Sequence, residues 1–224
     1  MQAAVAFLLL LLTSLSARAQ AVPAAFVDAA TVVDGLSVDM RYFGADNFVG
    51  KRIDGYEAPR CLLTRPAAMA LAAAQRDLAR QGLGLKVYDC YRPTRAVAHF
   101  VRWARDLADV VHKADYYPDL DKRNLFRLGY IAERSGHSRG STVDITLVRR
   151  VGGEGDPEMG TRFDFFSPKS WPSDVSVGKA AQRNRALLAA AMAQAGYHPY
   201  TKEWWHFTLR NELFPARHFD FPVR

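Results

Sequence analysis

The stretch STVDITLV, residues 141–148, alternates apolar and polar side chains strongly enough to require an extended strand, and it carries a carboxylate near its start. Successive side chains of a strand leave on opposite faces, so Asp144 points away from Val143 and Ile145. Immediately upstream, SGHSRG supplies glycines and small polar residues around His137, seven positions before Asp144. Any fold built on this segment sets a polar turn bearing an imidazole against a strand bearing an acid.

The rest of the chain surrounds that strand with alternating signals. FVDAATVVDGLSVDMRYFGADNFVG mixes β-branched residues with Gly, Asp and Asn and reads as a short strand and loops. RPAAMALAAAQRDLARQG predicts a helix from about Arg65 to Arg80, with an early proline and a closing Gly82. LKVYDCYRP reads as a strand stopped by Pro93, and Thr94 is the expected N-cap of a helix running on through Lys113. GKAAQRNRALLAAAMAQAGY predicts a third helix closed by Gly196, WWHFTL a last strand, and RNELFPARHFDFPVR an irregular tail. Without a regular βαβ repeat, this order favours an α+β fold: a small, largely antiparallel sheet flanked by helices.

The chain has 224 residues, 49% of them apolar, enough for one domain with its own core. Residues 1–19 read as a signal peptide: an apolar run from Val5 to Leu12, then Ala17-Arg18-Ala19 as an A-x-A cleavage pattern, leaving 20–224 as the mature domain. The run is too short to span a bilayer, so the expectation is an exported, periplasmic or secreted protein with no membrane insertion once the leader is removed. Losing Arg18 lowers the formal charge from +7 to +6. The basic residues are scattered and no nucleic-acid motif accompanies them, which argues against a nucleic-acid partner. An oxidising compartment leaves two readings open for Cys61 and Cys90: a disulfide, or two buried thiols acting as small apolar residues.

Of the six histidines, His99, His112, His198 and His218 lack any neighbouring ligand pattern. His137 has Asp144 beyond it, and His206 closes Glu-Trp-Trp-His behind Glu203. Two imidazoles and one carboxylate suit zinc, and three protein ligands leave a fourth position for water. Such a site needs a base that does not ligate the metal, and Glu203 is the candidate. A regular strand would put Glu203 and His206 on opposite faces, so Glu203 is expected at an irregular strand start, its carboxylate turned toward the metal.

Together, SGHSRGSTVDITL, EWWHFTLR, YDCYRPTRAV, ADNFVG, MGTRFDFF and the terminal FDFPV resemble the D-alanyl-D-alanine dipeptidases, zinc enzymes best known from vancomycin resistance. The resemblance runs in order from about Tyr42 to the C-terminus. It implies a hedgehog/D,D-peptidase-like fold and one zinc ion per chain, with His137, Asp144 and His206 as ligands and Glu203 as catalytic base. Arg92 matches the arginine that stabilises the transition state. Asp164 and Tyr42 match positions associated with the substrate's ammonium group, and Ser135 one associated with its carboxylate, for a small D,D-dipeptide. Gly136 stands where some members have a second serine, and the leader separates this chain from resistance enzymes that act inside the cell. Scavenging or recycling of wall dipeptides fits export better than resistance. Two other readings are a zinc D,D-carboxypeptidase or endopeptidase acting on peptidoglycan stems, and a non-catalytic zinc wall-binding module. Retention of Glu203 and Arg92 disfavours the second.

Overall fold

In the computed structural model, which describes residues 21–152 and 155–224, the alternating segment becomes the middle strand of a five-stranded sheet. The expected leader lies outside the described residues. In chain order the elements are β1 (Phe26–Asp28), β2 (Ser37–Val38), β3 (Leu62–Thr64), α1 (Arg65–Ala79), β4 (Leu83–Asp89), α2 (Thr94–Arg105), α3 (Lys113–Tyr116), α4 (Leu125–Leu128), β5 (Thr142–Arg149), α5 (Lys179–Gln194), β6 (Tyr197–Tyr200) and β7 (Glu203–Leu209). The main sheet runs β2-β4-β5-β7-β6; β2 joins parallel to β4 and the other neighbours are antiparallel. β1 and β3 form a separate antiparallel pair. This is the α+β arrangement that the order of signals implies.

The α1 helix buries Ala67, Leu71, Ala74 and Leu78, spaced by three or four residues along one face, and packs against β4 and α5. Each fully buried leucine contributes about 1.5–3 kcal/mol of transfer free energy. Gln75 adds polar ties: its Oε1 accepts from Leu85 N at 2.8 Å, fastening the helix to β4, and its Nε2 donates to the Asp34 and Gly35 carbonyls. In β5 every residue from Thr142 to Val148 is buried, so the alternation separates core from functional site rather than core from solvent.

Three boundaries differ from expectation. α2 ends at Arg105, well short of Lys113, because the chain turns extended at Asp106. Buried Lys122 collects the carbonyls of Asp106 and Asp109 at 2.7 Å each and lies 4.0 Å from the Trp103 ring centroid, a long-range tether that local propensity does not reveal. Thr94 is the first helical residue and makes no side-chain cap; Asp220 of the tail accepts from Arg95 N at 2.7 Å instead. β4 stops at Asp89, before Pro93, at a register shift against β5. There Cys90 is disulfide-bonded to Cys61, resolving the two readings of the cysteine pair in favour of a bond between the ends of β3 and β4.

The end of the irregular tail, from Phe219 to Val223, packs into the core, while residues 210–218 stay largely at the surface. Phe219, Phe221 and Val223 are core residues, and Phe221 stacks on Tyr91 at 4.1 Å between centroids. Phe219 N donates to the Ser138 carbonyl at 2.9 Å, so the tail braces the turn that carries His137. Gly140, at φ +81°, closes that turn; a Cβ there would lie 2.2 Å from the Phe26 ring.

Candidate active site

His137 sits in a 3-10 turn, Gly136–Arg139, capped by Ser135, whose Oγ accepts from His137 N. Its Nδ1 lies 2.7 Å from the Cys90 carbonyl oxygen. A carbonyl can only accept, so Nδ1 carries the proton and the Nε2 lone pair faces the site. Asp144 and His206 are register partners on β5 and β7, which puts their side chains on one face. Asp144 Oδ1 is 3.2 Å from His137 Nε2 and 3.1 Å from His206 Nδ1, and the two ring nitrogens are 3.3 Å apart. One ligand atom from each residue thus falls within 4.8 Å of the others.

Glu203 opens β7 beside an irregularity in the β6–β7 pairing: β6 advances one residue, Pro199 to Tyr200, while the partner positions run from Phe207 to Glu203. The extra residues bring Glu203 to the same side as His206, with Oε2 3.5 Å from His206 Nδ1. Burial pushes the Glu203 carboxyl up to about 7; His206 pulls it down and Asp144 pushes it further up. Burial works against ionisation of Asp144, and only protonated, positively charged His137 and His206 rings outweigh it and hold that carboxyl well below the usual range; with His137 Nε2 as a free lone pair, a bound cation would take over that part.

Arg92 is nearly buried, its Nε donating to Asp89 Oδ2 at 2.8 Å and its Nη2 lying 3.5 Å from Asp144 Oδ2. Its guanidinium carbon stands 5.1 Å from the ring centroids of both Tyr42 and Phe100. Tyr42 OH donates to Asp164 Oδ2 at 2.8 Å. Burial and the nearby Asp144 push the Asp164 carboxyl well up, with the Tyr42 hydrogen bond opposing them. All eight predicted side chains, Tyr42, Arg92, Ser135, His137, Asp144, Asp164, Glu203 and His206, line one cavity of about 260 Å³, small beside the roughly 300–1,000 Å³ of drug-sized sites. None of the other four histidines lines it.

Asp89 joins the site although no ligand or catalytic pattern in the sequence marks it. It is fully buried, accepts from Tyr56 OH at 2.5 Å and from Arg92 Nε, and its Oδ2 is 3.5 Å from His137 Nδ1, so one carboxylate backs two residues of the site. The available signal was its place in YDCYRP, at a strand end three residues before Arg92.

The donor set fits a divalent cation such as zinc. Among the described residues, Asp144 Oδ1 is a buried oxygen without a hydrogen-bond partner, and it converges with two imidazole nitrogens, one of them fixed as a lone pair. Two imidazoles, a carboxylate and a raised glutamate in one cleft define a metallopeptidase site. The chain belongs to the peptidase family described as D-ala-D-ala dipeptidase, whose family model matches residues 23–224. It is 42% identical over 193 residues to a D-alanyl-D-alanine dipeptidase of Enterococcus faecium, covering 86% of this chain and 95% of that one. A D-alanyl-D-alanine dipeptidase of Streptomyces coelicolor is 43% identical over 199 residues, covering 89% and 97%. A solved vancomycin-resistance D,D-pentapeptidase in complex with Zn(II) aligns with TM-score 0.41 and 13% identity over 71% of this chain and 78% of its own.

Proposed function

We propose that this chain is an exported, zinc-dependent dipeptidase that hydrolyses D-alanyl-D-alanine to two molecules of D-alanine. The observation that carries the reading is the convergence of His137, Asp144 and His206 beside Glu203 in a small cleft, in a chain of this family. His137 Nε2, Asp144 and His206 Nδ1 would hold the metal. A zinc ion bound there supplies a Lewis acid for the scissile carbonyl and lowers the pKa of its water to about 7.

Glu203 takes the proton from the attacking water as its oxygen bonds to the carbonyl carbon, and returns it to the departing amine as the C–N bond breaks. Arg92, steadied by Asp89, stabilises the negative charge that develops on the carbonyl oxygen. Asp164 and Tyr42 receive the substrate ammonium. Ser135 Oγ accepts from His137 N, which leaves its hydroxyl hydrogen for the substrate carboxylate.

Purified mature protein incubated with D-Ala-D-Ala, with and without chelator, tests the reading. Chelator-sensitive release of D-alanine is expected, and no D-alanine from the metal-loaded form would sink it. The N-acetylated dipeptide tests the ammonium assignment: turnover of only the blocked form would favour a carboxypeptidase. Export rests on MQAAVAFLLLLLTSLSARAQ and is supported by the Cys61–Cys90 bond. N-terminal sequencing of the mature protein should begin at Gln20.

A further inference from the structure

We propose that Arg162, Asp46 and Tyr116 form a clasp outside the cleft that positions the Asp164–Tyr42 pair and so sets affinity for substrates with a free ammonium group. The proposal rests on the reading that this pair receives the ammonium.

Arg162 Nη2 donates to Asp46 Oδ1 and to Tyr116 OH, each at 2.8 Å, and its guanidinium carbon lies 4.0 Å from the Tyr116 ring centroid. Tyr116 OH reaches Asp46 Oδ1 at 3.1 Å, and Arg41 Nη1 also bonds Asp46. The clasp joins three segments distant in sequence: the loop around Asp46, the end of α3 and the segment around Arg162. Arg41 directly precedes Tyr42, and Arg162 stands two residues before Asp164. Two residues after Asp164, Phe166 N donates to the Tyr116 carbonyl at 2.7 Å. Both members of the pair are therefore tied to the clasp through their own backbone, Asp164 from both sides.

Asp164 needs such restraint. Among the described residues it is the one non-glycine residue of positive φ, at 58°, a sparsely populated conformation that aspartate tolerates better than most and that contacts on either side help to hold. Its carboxylate is also buried, so a shift of the 161–166 segment would change the reach of the ammonium-binding oxygen directly. Asp46 and Arg162 do not line the cleft, and the Asp46 side chain is 63% exposed. They are positioning residues, and as part-exposed ion pairs they add little to global stability.

The test compares wild type with Arg162→Gln, Asp46→Asn and Arg162→Lys in the zinc-loaded protein, measuring kcat and KM for D-Ala-D-Ala. Asp46→Asn attacks the clasp from its other side and carries the test if Arg162→Gln does not fold. The expected result is a KM raised about tenfold by loss of the charged pair, with kcat within about twofold, and partial recovery in Arg162→Lys. Asp164→Asn in the same assay separates the two layers. If it raises KM while the clasp variants leave KM unchanged, the clasp is overturned and the ammonium assignment stands. If Asp164→Asn itself leaves KM unchanged, the ammonium assignment falls and the clasp proposal with it. A fall in kcat with KM unchanged in the clasp variants would also overturn it.

Discussion

The metal-facing trio and the Tyr42–Asp164 pair share one cleft but are held by different means. Asp144 and His206 face each other through the β5–β7 register, and His137 is fixed by a capped turn and the Cys90 carbonyl. Tyr42 and Asp164 come from irregular loops 122 positions apart and meet through a single side-chain hydrogen bond, with the Arg162–Asp46 ion pair between the loops behind it. Strand register thus sets the proposed reacting centre, while the proposed recognition end depends on contacts between loops, one backbone bond from Phe166 to Tyr116 among them. Changes at the first should act on kcat and metal content, and changes at the second on KM.

Glu203→Gln offers the strongest way to break this division. It should lower kcat about 10²–10⁴-fold by steady-state kinetics while leaving zinc at one per chain. A variant that lost its zinc would place Glu203 among the ligands instead. Next in size, Arg92→Lys keeps the charge but loses the fork that engages Asp89, and kcat should fall about 10²–10³-fold with KM much less affected. The Cys61→Ser/Cys90→Ser double variant should lose about 2–4 kcal/mol of stability in denaturant unfolding, since the bond spans 29 positions of sequence. Asp89→Asn should cost about 10–100-fold in activity or metal affinity, because it weakens the support of both Arg92 and His137.

The same contrast explains what was legible in the sequence. Strand alternation put Asp144 on a face of its own, and the spacing in Glu-Trp-Trp-His required an irregular start to the last strand, which β7 has. Helix α1 followed from its proline, alanines and Gly82 because its signals are local. The end of α2 did not, because Lys122 holds the chain at Asp106 and Asp109 from outside the helix. Nor did the cap of α2, since Asp220 supplies it from the tail. Asp89 and the Asp46–Arg162 contact were hidden for the same reason: each matters through partners that only the tertiary fold brings near.

The most direct test of the central claim is a crystal structure of the zinc-loaded protein with anomalous data at the zinc edge. The account predicts one peak about 2.0–2.2 Å from His137 Nε2, an Asp144 carboxylate oxygen and His206 Nδ1, with Glu203 outside bonding distance. A peak bonded to Glu203, or none within reach of these three residues, would contradict it.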